Sequence, residues 1–256
     1  MKAFFLLALF LLFPCAAQAA TGCNLILSYP DGKVLHHDGD CETRRSPVST
    51  FKIPLALMGF DSGILTDEHT PSLPYRAEYN GLDFQQITTD PIIWERESIV
   101  WYSQQLTKKL GPEKFQRYVN RFDYGNKDLS GHPDRNDGLT NAWLFTSLAI
   151  SPKEQVNFLS RLLNRDLGVS THAYNMTMAI IPTFKTGNWT VHGKTGSGQI
   201  NDDVNNPQGW FVGWADNGRQ KIVFAKLILP GRPLEKAGLK ARAQFLAEMP
   251  ALLKRH

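Results

Sequence analysis

Ser49 and Lys52 stand three residues apart in RRSPVSTFKIPLALMGF. Pro54 has no N–H, which a helix tolerates only in about its first turn, so the spacing predicts a helix that begins near Ser49. That start puts the serine hydroxyl at the positive helix end, where developing negative charge is stabilised, with Lys52 one turn on and on the same face. Serine is a weak nucleophile until a base takes its proton, and a desolvated lysine can lose its charge and become that base. S-x-x-K occurs once in the chain. Alone, a capping serine and a snorkelling lysine would spell the same letters.

Two further groups extend the pattern. Ser98-Ile99-Val100 opens a second helical stretch, and Lys194-Thr195-Gly196 lies in a β pattern with glycines on both sides, which lets a ligand lie against the backbone. Each has a look-alike. Lys185-Thr186-Gly187 follows Pro182-Thr183-Phe184 and is read as a turn, and Ser46-Pro47-Val48 precedes the nucleophile and is read as loop.

The elements that must carry these residues follow from periodicity. NLILSY and KVLHH read as a strand pair around Pro30-Asp31-Gly32. From Ser49 to Gly168 the pattern is helical, with apolar residues three and four apart in PLALMGFDSGIL, SIVWYSQQLTKKLG and SPKEQVNFLSRLLNRDLG. Gly111 and Gly168 fit helix C-caps, and Ser151-Pro152-Lys153-Glu154 fits a helix start. GLDFQQITTDPIIWERE and YGNKDLSGHPDRNDGLTNAW read as loops. After residue 186 come NWTVHGKTGSG, PQGWFVGWAD and QKIVFAKLIL, with turns expected at Asn205-Asn206-Pro207 and Asp216-Asn217-Gly218, then a closing amphipathic helix, EKAGLKARAQFLAEMPALLKR. The expectation is an α/β (α+β) fold: one sheet built from both termini (about residues 20–48 and 187–256), flanked by helices, with a helical region (about 49–186) inserted between.

Composition sets the class. With 256 residues, 42% hydrophobic and 20% charged, the chain is ordinary globular protein, and a net charge of +4 without a basic block argues against nucleic acid. Residues 1–19 read as a cleavable signal peptide ending at Ala17-Gln18-Ala19, against the alternative of an uncleaved anchor; an exported, periplasmic protein is expected, with residues 20–256 as one catalytic domain and no membrane contact after cleavage. Once Cys15 leaves with the signal, Cys23 and Cys41 remain, an even pair in an oxidising compartment. They form either a disulfide across the hairpin, contributing about 3 kcal/mol, or two buried thiols. No Cys/His cluster has metal-ligand spacing.

S-x-x-K, a second serine, then K-T-G, in that order, is the layout of serine penicillin-recognising enzymes. STFK, the Ser98-Ile99-Val100 triplet, Tyr124-Gly125-Asn126, Trp143-Leu144, GKTGSG and QGWFVGW together resemble the class D, oxacillinase-type, β-lactamases, from about Cys23 to the last helix. The resemblance implies the serine β-lactamase and penicillin-binding-protein transpeptidase fold and small-molecule β-lactam substrates, on a monomer or homodimer. It implies that Ser49 attacks the β-lactam carbonyl. Lys52 would be carboxylated by carbon dioxide (N6-carboxylysine) and act as general base, with no other cofactor and no metal. Trp143 would bond that carboxylate and Val100 would keep its pocket dry. Ser98 would relay a proton to the leaving nitrogen, and Lys194 would hold Ser98 and the substrate carboxylate. The N–H groups of Ser49 and Ser197 would form the oxyanion hole. Tyr124, Thr195, Gly196 and Ser197 are the implied substrate-binding set, though Tyr124-Gly125-Asn126 could be only a turn. One departure stands out: where the family has an arginine near the start of the last helix, AGLKARAQFL offers Lys240 or, two residues on, Arg242. Lysine in that place would lose the bidentate grip on a carboxylate.

The rivals are weaker. A class A enzyme would want S-D-N and a glutamate base, and Glu154 is better read as a helix cap. A D,D-peptidase or a β-lactam sensor would share the motifs but acylate with scarcely any turnover. A Ser-His-Asp esterase lacks G-x-S-x-G, and His36, His37, His69, His132, His172 and His192 read as surface or structural residues.

Overall fold

The computed structural model describes residues 22–254 apart from 201, 202, 233 and 235; the expected signal peptide, residues 1–19, lies outside the described residues. The chain opens with a hairpin, β1 (Cys23–Tyr29) and β2 (Val34–Gly39). Seven helices follow: α1 (Lys52–Asp61), α2 (Pro91–Glu97), α3 (Val100–Leu110), α4 (Pro112–Phe122), α5 (Gly138–Asn141), α6 (Pro152–Asn164) and α7 (Thr171–Ile180). Then come β3 (Thr183–Thr186), β4 (Trp189–Ile200), β5 (Asp203–Asp216), β6 (Lys221–Ile228) and the last helix, α8 (Ala237–Leu253). All six strands form one antiparallel sheet in the order β2-β1-β6-β5-β4-β3. β1 pairs with β6, Cys23 opposite Leu227 through Tyr29 opposite Lys221, so the sheet does join the two ends of the chain around a helical insertion.

The strands are apolar at successive positions because both faces of the sheet are covered. Leu25, Trp210, Val212, Trp214, Val223 and Ala225 point into a large core shared with the helices. Ile26, Phe211, Ala215, Ile222 and Phe224 point the other way, against Ala241, Phe245 and Met249 of α8. α1 is buried from Lys52 to Phe60, as a helix apolar on all sides must be. A disulfide joins Cys23 and Cys41 and ties the open end of the hairpin.

Several expectations are corrected. PIIWERE, read as loop, is α2: the Asp90 side chain accepts from the Ile93 N–H at 2.8 Å, and Pro91 takes the first turn. α6 ends at Asn164 with Arg165 as its left-handed cap (φ 59°), so Gly168, itself at φ 68°, closes a later turn. Asn205-Asn206-Pro207 is not a turn but part of β5, with Pro207 opposite Gln199. β6 pairs with β5 only as far as Gly209, so Pro207 lies where β5 has a paired neighbour on one side only, a place where proline is tolerated. The sheet also resumes earlier than residue 187, because Lys185-Thr186 close β3 and only Gly187 (φ 56°) turns.

Candidate active site

Ser49 lies in a 3₁₀ turn, Val48–Phe51, that runs straight into α1, so Lys52 is the first residue of the α-helix. The turn begins under strain: Val48, a β-branched residue, has φ 44°. It is held there from three sides. Its N–H donates to the Trp143 carbonyl at 3.1 Å. Thr50 Oγ donates to the Pro47 carbonyl at 2.7 Å and accepts from Gln155 Nε2 at 2.9 Å. β4 presses against the turn at Gly196, where a Cβ would come within 2.6 Å of the Val48 side chain. The same glycine receives α8 from the other side, since a Cβ on Gly238 would lie 2.5 Å from the Gly196 carbonyl oxygen. The glycine of Lys194-Thr195-Gly196 is therefore required by packing: it lets the nucleophile turn, the sheet and the last helix meet.

Lys52 is 1% exposed, and its Nζ lies 3.5 Å from Ser49 Oγ. Burial, with help from the positive charge of Lys194 and against the pull of Glu95, lowers its pKa to about 7. At neutral pH much of this lysine is therefore the free amine, the form that accepts a proton or reacts with carbon dioxide. Lys194, 2% exposed in β4, donates to Ser98 Oγ at 3.0 Å and to the Thr195 carbonyl at 3.3 Å. Burial lowers Lys194 as well, to about 8. Ser98 is the left-handed cap that ends α2 (φ 60°), and that conformation presents its hydroxyl to Lys194 instead of continuing the helix. Ser49, Ser98, Val100, Lys194, Thr195 and Ser197 line one cleft of about 590 Å³.

Trp143 is fully buried and stacks on Phe51, the residue beside Lys52, at 5.4 Å and 21°. Its backbone carbonyl also accepts from Ser46 Oγ at 2.8 Å, while the same hydroxyl accepts from the Phe145 N–H at 3.0 Å. The look-alike serine thus fastens the tryptophan loop to the nucleophile segment. Tyr124 does not reach the cleft. It is fully buried behind Phe51, ring to ring at 5.4 Å, and its expected place among the substrate-binding residues is corrected to a packing one. Asn126 beside it explains the triplet: its amide donates to the Ser147 carbonyl at 2.7 Å and accepts from the Ala149 N–H at 3.0 Å, bracing the Trp143 loop.

The two cations near the start of α8 are placed differently. Arg242 lines the cleft with its guanidinium 4.6 Å from the centre of the Phe184 ring, whereas Lys240 is exposed and away from the lining. Ser197 Oγ accepts from the Gly238 N–H at 2.9 Å and pins that helix start to β4. Glu154 completes a capping box with Ser151, so it serves α6 and not the cleft.

Sequence reasoning missed four contributors. Gln85 bridges both sides of Ser98-Ile99-Val100, donating to the Ser98 carbonyl at 3.5 Å and accepting from the Val100 N–H at 3.4 Å. Phe84 and Phe184 form apolar cleft walls. Glu95 is wholly buried. None has a spacing signal: Gln85 sits in a loop-like stretch, and Glu95 reads as one charge in an exposed Glu-Arg-Glu run.

Residues 17–251 match the family model described as the penicillin binding protein transpeptidase domain. The chain is 43% identical over 242 residues to β-lactamase OXA-9 of Klebsiella pneumoniae, covering 90% of this chain and 88% of that relative. It is 41% identical over 191 residues to β-lactamase OXA-1 of Escherichia coli, covering 73% and 68%. The crystal structure of the OXA-427 class D β-lactamase superposes with a TM-score of 0.84 at 45% identity, over 92% of this chain and 99% of that one. With Ser49, Ser98 and Lys194 lining one cleft of that fold and Lys52 buried behind Ser49, the chain belongs to the class D β-lactamases of the penicillin-binding-protein transpeptidase family.

Proposed function

We propose that this class D β-lactamase opens the β-lactam amide of penicillins and related antibiotics through an ester on Ser49, with Lys52 carboxylated by carbon dioxide as the general base. The observation that carries the reading is the buried Lys52 amine 3.5 Å from Ser49 Oγ, its charge disfavoured by burial. The residues fit the modification: burial favours the neutral amine, and Lys52 lies in a buried stretch of helix beside Phe51, on which Trp143 stacks. A carboxylate on that nitrogen would supply a base that serves both formation and hydrolysis of the ester.

Ser49 Oγ attacks the β-lactam carbonyl carbon as its proton leaves toward the Lys52 side chain. The carbonyl oxygen develops negative charge against the N–H groups of Ser49 and Ser197. The C–N bond breaks, and the nitrogen takes a proton through Ser98 Oγ, which Lys194 orients by its 3.0 Å bond. Water then cleaves the ester and restores Ser49. Lys194 and Arg242 supply the positive charge for the substrate carboxylate. Antibiotic resistance exercised from the periplasm follows from this chemistry and from the expected signal peptide, with the enzyme acting as a monomer or homodimer.

Lys52→Ala tests the base. Mass spectrometry of the variant after a penicillin pulse should find Ser49 acylated slowly and the adduct persisting, with turnover down by about 10⁴-fold. Turnover within tenfold of the parent would sink the mechanism.

A further inference from the structure

Glu95 has no part in the chemistry above, and its position needs a reason. It is 0% exposed, and neither carboxylate oxygen has a hydrogen-bond partner. A buried carboxylate is costly unless paired, and this one makes no ion pair within contact distance among the described residues. Among those residues the buried Lys, Arg, Asp, Glu and His side chains are Lys52, Glu95 and Lys194, and each feels the charge of at least one of the others. α2 arranges this. Its Asp90 cap and Pro91 start set the helix, and Trp94 docks it on α3 by donating to Ser103 Oγ at 2.8 Å. Glu95 then falls on the inner face, three residues before Ser98, while Arg96 and Glu97 pair with each other at 2.7 Å on the exposed side.

The charges form a closed account. Free Lys52 amine, ionised Glu95 and cationic Lys194 sum to zero. Carboxylation of Lys52 adds a negative charge in the same dry pocket. The sum returns to zero if Glu95 becomes a neutral acid. Burial raises the Glu95 pKa to about 7, in range for that change, with Lys194 and then Lys52 pulling it down. The other elements packed on α2 bring no charge to oppose it. On α3 the buried Tyr102 hydroxyl donates to the Pro71 carbonyl, on α7 the Tyr174 hydroxyl accepts from the Leu167 N–H, and His172 is exposed and bonded to the Thr66 carbonyl.

We infer that Glu95 is a positioning residue of this site, an internal counter-charge whose uptake of one proton accompanies carboxylation of Lys52. The inference rests on the proposed modification of Lys52. In the step, the lone pair of the neutral Lys52 nitrogen forms a bond to the carbon of carbon dioxide, one N–H proton is released, and the Glu95 carboxylate gains one. Nothing is oxidised or reduced. Carboxylation would then be nearly proton-neutral, and above the Glu95 titration it would carry the extra cost of protonating that carboxylate.

Glu95→Gln removes the cost and the proton sink together. The ¹³C NMR resonance of the modified lysine, followed with ¹³C-bicarbonate against pH, reads this without any assay of activity. At one pH unit above the Glu95 titration, Glu95→Gln should bind the label about tenfold more tightly than the parent, and the two should converge at acid pH. A matching infrared difference measurement on the parent protein should show a carboxylic acid band gained with the label near pH 8, which decides the matter should the variant fail to fold. A resonance with the same pH profile in both proteins, or no acid band, would overturn the role of Glu95 and leave Lys52 carboxylation standing. No resonance in the parent at any pH would overturn both.

Discussion

Lysine, threonine and glycine occur twice in a row in this chain, on neighbouring strands of one sheet, and only one copy is in the cleft. Lys185 stands on the edge strand β3, exposed, bonded to the Thr190 hydroxyl across the hairpin. Lys194 stands on β4 between β3 and β5, 2% exposed, with its amine on Ser98. The glycines differ in the same way: a Cβ on Gly187 would meet open space, whereas one on Gly196 would strike Val48. The two serine triplets repeat the lesson. Ser98 faces the cleft at the end of a helix, and Ser46 is spent on the Trp143 and Phe145 backbone. A motif in this protein is three letters plus the elements packed on them.

The comparison can be broken by substitution. Lys194→Ala should lower kcat/KM by about 10²–10³-fold, the loss expected for one preorganised charge, while Lys185→Ala stays within about twofold. Comparable losses in steady-state hydrolysis would mean the copies are not distinguished as argued. Ser98→Ala should slow acylation by about 10²-fold in single-turnover kinetics with thermal stability little changed. Ser46→Ala should do the opposite, costing about 1–3 kcal/mol in denaturant unfolding by taking the acceptor from the Phe145 N–H and leaving the Trp143 carbonyl only its bond from the Val48 N–H. Arg242→Ala should raise KM about tenfold, and Lys240→Ala should leave it unchanged.

The smallest expected effect is in the pH profile. Without bicarbonate, kcat/KM should rise as pH climbs through about 7, where Lys52 gives up its proton, and fall through about 8, where Lys194 loses the charge that orients Ser98. A flat profile between pH 6 and 9 (on the order of two pKa spans) would separate these lysines from the rate.

How much of this the sequence disclosed follows from the range of the forces involved. Local signals were legible. The proline in the first turn of α1, the capping box at Ser151 and the apolar strands placed the elements, and the ordered motifs pointed to the family. Residues positioned by distant packing were not. Tyr124 reads as a site residue until Phe51 and Phe158 are seen to enclose it. Glu95 reads as surface charge until α2, itself taken for loop, is seen to turn it inward. Lys240 and Arg242 are two residues apart, and on a helix that spacing points them in different directions, which only the docking of α8 on β4 resolves.

The central claim is that Lys52, carboxylated, turns the acyl-enzyme over. The most direct measurement is steady-state hydrolysis of a chromogenic cephalosporin by the mature protein with and without added bicarbonate. Sustained turnover that bicarbonate raises is the predicted result. A single stoichiometric burst that stays flat with bicarbonate present would contradict it, and would make the Ser49 ester the end of the reaction.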